Sequence, residues 1–315
     1  METRRLGQSD IQIAPIMLGT NVFGWSVDAA TAFAILDGFV AAGFNAIDTA
    51  NSYSRWVPGH SGGESETIIG NWLKRSGNRG RTPCPRRPWW RSRHGRGLTA
   101  SDIVREAEAS LKRLQVERID LYQTHFDDPN TAPEETLAAY AQLIAQGKVR
   151  TIGASNIGAA RLTQSLDASR QLGLARYQSL QPLYNLYDRK GFEQDYEALC
   201  VREKLGVISY YSLAAGFLTG KYRSLADAAK SATRGGRVKQ YLDARGLRIL
   251  QALDTVAARH AATPAQVSLA WLMARPSVTA PIVSATNLKQ LTEILKAAQL
   301  KLAREDIAAL DSASA

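Results

Sequence analysis

The chain has 315 residues, 45% hydrophobic and 22% charged, with 39 Lys and Arg against 29 Asp and Glu for a formal charge of +10. This is a globular composition with apolar content for a substantial core, which excludes a disordered or fibrous chain. No apolar run reaches the roughly 18 residues of a membrane span and the Met1-Glu2-Thr3-Arg4-Arg5 start lacks a signal peptide's apolar stretch, so a soluble, cytoplasmic protein with no membrane partner is expected.

Thr3 to Leu6 and Ile11 to Ile13, separated by Gly7-Gln8-Ser9-Asp10, predict a small hairpin. From there short β-type runs alternate with segments of helical period. Ile16 to Thr20 reads as strand, then Ala29 to Ala42 as helix with Phe33, Leu36, Phe39 and Val40 on one face. Asn45 to Asp48 is the next strand, and Glu64 to Lys74 the next helix. Past a segment treated below, Ser101 to Leu114 is helix, Ile119 to Thr124 strand, Pro133 to Ala145 helix and Val149 to Ser155 strand. The alternation goes on through helix Ala159 to Leu172, strand Tyr177 to Gln181, helix Phe192 to Lys204 and strand Val207 to Tyr211. Thr263-Pro264 opens a helix with an N-cap and an N1 proline, and Val278 to Val283 followed by Leu288 to Ala298 closes the series. With the untreated segment counted as a strand slot, eight βα units predict a (β/α)8 barrel, a single α/β domain over residues 1–315 with the hairpin ahead of it. An open doubly wound sheet is disfavoured because no G-x-G-x-x-G follows the first strand.

Chemistry in such a barrel sits at the C-terminal ends of the strands. There the sequence offers Asp48 after the second strand with Tyr53 in its loop, His125 after the fourth, Ser155 and Asn156 at the fifth, Gln181 at the sixth, and Tyr211 and Ser212 at the seventh. A phenol beside an imidazole and a carboxylate suits general acid catalysis, whereas no side chain here is itself a redox centre. Cys84 and Cys200 are too few and too distant for a zinc site, and no metal is expected. Phe23, Trp25 and Trp56, in loops after the first two strands, are candidates for an apolar substrate wall.

Asp48-Thr49-Ala50 with Tyr53, Ile119 to His125, Gly147 to Asn156 and Gly216 to Tyr222 together resemble the aldo-keto reductases, over nearly the whole chain except about residues 82 to 96. The resemblance implies the same barrel and reduction of a small-molecule aldehyde or ketone with hydride from NADPH. It makes Tyr53 the proton donor, His125 the residue that orients the carbonyl, and Asp48 part of the charge network that tunes the tyrosine. Ser155, Asn156 and Gln181 would bind the nicotinamide carboxamide and Tyr211 would stack on the ring. Ser212, Leu213 and Gly216 to Lys221 would follow the pyrophosphate. Ser284, Thr286, Gln290 and Glu293 would meet the adenosine end, and since Ser284 and Gln290 stand where basic residues are common, NADH is an alternative cofactor. The family also contains channel-associated subunits, so a non-catalytic, NADP-binding protein is the competing expectation.

The remaining segment carries the excess charge. Lys74 to Gly97 holds nine Lys or Arg and no acid, leaving +1 for the rest of the chain. Where the family has a third strand ending in a catalytic lysine, Pro83, Pro85 and Pro88 remove three N–H donors and Arg86 and Arg87 adjoin. A good third strand is therefore not expected. Three accounts compete: a basic loop for nucleic acid or phosphate with Trp89 and Trp90 as stacking surfaces, a divergence in which Arg87 supplies the lysine's charge, and an out-of-frame stretch between two compensating indels. The first is disfavoured by the lack of any recognition module elsewhere, so no nucleic-acid partner is expected. The third agrees best with family register resuming on both sides.

Overall fold

A computed structural model describes residues 2–75, 97–229 and 234–315, together with the backbone of residues 89–94. The chain opens with the predicted hairpin, β1 (Arg4–Arg5) antiparallel to β2 (Gln12–Ile13). The barrel strands are β3 (Met17–Gly19), β4 (Ala46–Asp48), β5 (Trp89–His94), β6 (Ile119–Thr124), β7 (Val149–Ser155), β8 (Tyr177–Gln181), β9 (Gly206–Ser209) and β10 (Val278–Val283). All pair in parallel, in chain order, and β10 returns to β3 to close the ring. Between them run α1 (Ala29–Ala41), α2 (Glu64–Arg75), α3 (Ala100–Leu114), α4 (Pro133–Ala145) and α5 (Ala159–Leu172), then the short α6 (Lys190–Asp195) and α7 (Glu197–Arg202). The connection after β9 carries α8 (Leu225–Ala229) and α9 (Gly235–Val238) before α10 (Ala244–Arg259), α11 (Pro264–Ala274), α12 (Leu288–Leu295) and α13 (Arg304–Ser314). None of the described helices is long and apolar enough to cross a membrane.

Packing follows the strand alternation. One apolar cluster joins Met17, Ala46, Leu121, Ile208 and Ile282 of the barrel strands to Leu6, Ile11 and Ile13 of the hairpin, which plugs the N-terminal end. The plug is fixed by Arg4, whose guanidinium donates to the carbonyls of Met273 (2.8 Å) and Val278 (3.0 Å). At Gly7 a Cβ would lie 2.1 Å from the Gln178 carbonyl oxygen, so only glycine lets the hairpin approach the strands this closely. A second, larger cluster fills the layer between strands and helices, with Tyr122, Tyr140 and Trp72 wholly buried in it. Cys200 is buried there too, and desolvation pushes its thiol up to about 12, out of the reactive range.

The third strand corrects the sequence expectation. Residues 89–94 do form β5, with Asp48 opposite Arg91 on one side and Arg91, Ser92, Arg93 and His94 opposite Leu121, Tyr122, Gln123 and Thr124 on the other. The physical reason is position: every proline counted against the strand precedes residue 89, and the six residues of β5 all keep their N–H. Those prolines, Cys84 and Arg87 lie outside the described residues. Two smaller departures concern boundaries. The helix predicted over 192–204 is broken into α6 and α7 at Tyr196 (φ −126°, ψ −30°), and the seventh strand stops at Ser209, leaving both following tyrosines in the loop.

Candidate active site

The C-terminal ends of the strands gather the predicted polar residues. Asp48 ends β4 and is buried, and the Tyr53 hydroxyl, five residues on, donates to Asp48 Oδ2 at 2.8 Å. The loop backbone that permits this is held by Thr20, whose Oγ1 donates to the Asp48 carbonyl (2.8 Å) and contacts Ser65 Oγ (2.8 Å) at the start of α2. Ser54, at φ +68°, donates to the Phe23 carbonyl (2.8 Å) and so ties the Tyr53 loop to the loop after β3. His125, also buried, follows β6, and its backbone carbonyl accepts from Asn156 Nδ2 (2.8 Å).

Past His125 the site continues through the ends of β7, β8 and β9. Asn156, with φ +49°, also donates to Ser155 Oγ (3.1 Å), while Ser155 Oγ donates to the Gln181 carbonyl (3.0 Å). Gln181 is wholly buried, and among the described residues neither its Oε1 nor its Nε2 has a hydrogen-bond partner. A buried amide in that condition costs about 1–3 kcal/mol per unmade group, and it offers one acceptor and one donor to an incoming carboxamide. Tyr210, which sequence reasoning passed over, donates its hydroxyl to Asn156 Oδ1 (3.1 Å) and, with Asn156, Gln181 and Ser314, borders a cavity of about 860 Å³. Its neighbour Tyr211 turns the chain at φ +53°, its carbonyl accepting from Asn185 Nδ2 (3.0 Å).

The loop after β9 then coils left-handed through Ala214 (φ +48°), Ala215 (φ +56°) and Gly216 (φ +95°). Ser212 Oγ donates to the Ser209 carbonyl (3.1 Å), Leu213 is half-buried, and Lys221 lies with its Nζ 4.9 Å from the Tyr222 ring centre. After β10, Ser284 Oγ donates to Asn21 Oδ1 (2.8 Å). Thr286 and Gln290 are exposed at the start of α12 and bonded to each other through Gln290 Oε1 (2.9 Å), while Glu293 is half-buried one turn on. The N-terminus of a helix after the eighth barrel strand is a recurrent phosphate position in this architecture.

Of the three residues expected to wall a substrate pocket, Trp25 and Trp56 lie beside Tyr53. Trp25 meets Trp56 edge-on with centroids 5.6 Å apart, and Trp56, 51% exposed, lies 6.4 Å from the Tyr53 ring. Phe23 is a correction: its exposure is 0% and it packs in the core between strands and helices, so it lines nothing a substrate can touch. Phe126, which directly follows the histidine, is 46% exposed and stacked on the His125 ring at 4.5 Å, an aromatic surface at the mouth that its sequence position alone does not single out.

Comparison with known proteins agrees with this geometry. The profile of the Aldo/keto reductase family matches residues 15–315. The chain is 31% identical to the uncharacterized oxidoreductase YrpG of Bacillus subtilis (strain 168), an alignment covering 97% of this chain and 93% of that one. It is 30% identical to protein tas of Escherichia coli (strain K12), over 99% and 97% of the two chains. It is 29% identical to a probable voltage-gated potassium channel subunit beta of Oryza sativa subsp. japonica, over 94% and 91%. The buried Asp48–Tyr53 pair, the ordered polar residues on successive strand ends and the match along the whole barrel have one explanation: the chain belongs to the aldo/keto reductase family of oxidoreductases.

Proposed function

We propose that the protein reduces an aldehyde or ketone to its alcohol with NADPH, Tyr53 acting as proton donor. The observation that carries this reading is the buried Tyr53–Asp48 hydrogen bond at the barrel mouth, with His125 buried at the end of β6, two strands from Asp48. The hydrogen bond to Asp48 holds the Tyr53 hydroxyl at the mouth, where an arriving carbonyl oxygen takes its proton. His125, fixed through its backbone by Asn156, orients that oxygen. The residues fit a nicotinamide cofactor: the two unpartnered amide atoms of Gln181 suit its carboxamide, with Ser155 and Asn156 beside them, Tyr210 or Tyr211 supplying a ring, Ser212 to Lys221 lying along a pyrophosphate, and Ser284 to Glu293 at the far end. When bound, the cofactor supplies the hydride; NADH would use the same groups.

A second reading, a protein that binds the cofactor without turnover, is favoured by one observation: no lysine occurs between Lys74 and Lys112, so the catalytic lysine that ends the family's third strand is missing. One experiment separates the two. Protein fluorescence quenching by NADPH and NADH is followed alongside oxidation of each cofactor with a panel of aldehydes. We expect carbonyl-dependent oxidation that Tyr53→Phe lowers by about 10²- to 10⁴-fold while quenching persists. Quenching with no oxidation in the unaltered protein would establish the binding reading instead.

A further inference from the structure

At the closed end of the barrel, away from the mouth, a cleft of about 800 Å³ opens between α1, the end of α11, α12 and the segment that leads into α13. The helices run back against the strands, so α1, α11 and α12 all finish here, beside Phe44 at the approach to β4. One wall is a stripe on α12, where Leu288, Leu291, Thr292 and Leu295 recur at the spacing of a single helical face. At a rise of ~1.5 Å per residue the stripe is about 10 Å long. Gly38 of α1 faces it so closely that a Cβ there would lie 3.1 Å from Leu288 Cδ2 and 3.3 Å from Leu291 Cδ2. Met273 and Leu300 continue the apolar lining, and Leu288 is left 47% exposed.

Charge at the foot of the stripe is one-sided. Lys296 directly follows α12 and Lys301 follows the turn Lys296–Gln299; both are exposed, both line the cleft, and among the described residues neither is paired with a carboxylate. Arg4 is committed to the carbonyls of Met273 and Val278, where it answers the partial negative charge at the end of α11. Glu2 is the only acid among the described residues of the lining, and its charge is set against Arg4. An apolar trough that ends in two ammonium groups suits a linear chain with an anionic head. Methylenes leave water along the stripe, the unbranched Met273 side chain adapts to their width, and the flexible lysine stems follow the head. We propose that this cleft binds a medium-chain alkanoate such as decanoate, its tail along the α12 stripe and its carboxylate at Lys296 and Lys301. The site lies at the opposite end of the barrel from Tyr53 and stands whether or not the reduction proposed above does.

The test is calorimetry of the full chain with octanoate, decanoate, decanol and decyltrimethylammonium, each below its micelle concentration. We expect a single saturable site, decanoate about tenfold tighter than octanoate, and weaker binding of decanol and of the cationic chain. The double variant Lys296→Gln, Lys301→Gln should weaken decanoate about 3- to 10-fold and leave decanol unchanged. Ala42→Trp, which fills the cleft from its exposed rim, should abolish binding of both; if circular dichroism shows that variant unfolded, the lysine pair decides. No decanoate binding overturns the proposal, as does an affinity unaltered in both variants, which would place the chain at the mouth or elsewhere. Tighter binding of decyltrimethylammonium overturns it by reversing the charge. A dimer in sedimentation that Ala42→Trp dissolves also overturns it, by giving the face to a second copy.

Discussion

Gln181 shows at the level of one residue how a site can be costly to the protein that carries it. Its amide is buried with both ends unbonded among the described residues, so a substitution that removes the polarity at similar volume should help folding and harm binding. Gln181→Leu is expected to raise stability by about 1 kcal/mol in thermal or urea unfolding while weakening NADPH at least tenfold in a quenching titration. Equal losses in both would mean that the amide is structural. Residues at strand ends were the legible part of the site, because the βα alternation fixes which positions reach the mouth. Asp48, His125, Ser155 and Gln181 could be named that way. Phe23 could not be excluded, since an aromatic side chain suits a core and a pocket wall equally and only backbone direction separates them. Tyr210 was hidden for a related reason. Its apolar run continues through Tyr211 without a break, whereas the strand ends at Ser209 with a single bridge from Tyr210 to Leu183, and the turn at Tyr211 sets the two rings on different neighbours.

Among the elements, α2 and α3 show how tightly the helical layer is drawn around the strands that hold the site. A Cβ at Gly70 would lie 2.2 Å from the Arg113 carbonyl oxygen, and the same two helices are joined by the buried Glu66, which accepts from Arg113 Nε at 2.6 Å. Gly70→Ala should therefore force the helices apart, despite alanine's better helix propensity, and cost about 1–3 kcal/mol in urea unfolding. A stabilised variant would show that the contact yields. Ser65 and Glu66 share the first turns of α2, so the displacement should reach the Thr20–Ser65 contact under Asp48. Element order was readable because period 2 and period 3.6 alternate so regularly here. The break at Tyr196 was not, as nothing in the apolar pattern from 192 to 204 marks it. For β5 the prolines do remove donors, but they precede the strand, and composition alone does not mark where pairing begins.

For the whole molecule, closure turns a local defect into a global one. A barrel has no edge at which a poor strand can be left, so β5 must satisfy both β4 and β6. Ser92 lies in the middle of that strand opposite Tyr122, and Ser92→Pro would remove one ladder donor without touching the mouth residues. We expect a loss of about 1–3 kcal/mol and a broadened thermal transition by circular dichroism; an unaltered transition would show that the ring does not depend on β5. The +10 charge is likewise a feature of one segment, not of the folded surface as a whole, because the excess falls almost entirely between Lys74 and Gly97.

The hairpin plug and the placement of α13 give the two chain ends unequal surroundings. Arg4 is stitched to the closed end of the barrel, away from the strand ends that carry the chemistry. Ser314 borders the same cavity as Gln181 and Tyr210. An affinity handle, a fused reporter or a bead linkage at the amino end leaves that cavity open, while the same attachment at the carboxyl end crowds it. Immobilised preparations of this protein should accordingly be anchored by their first residues.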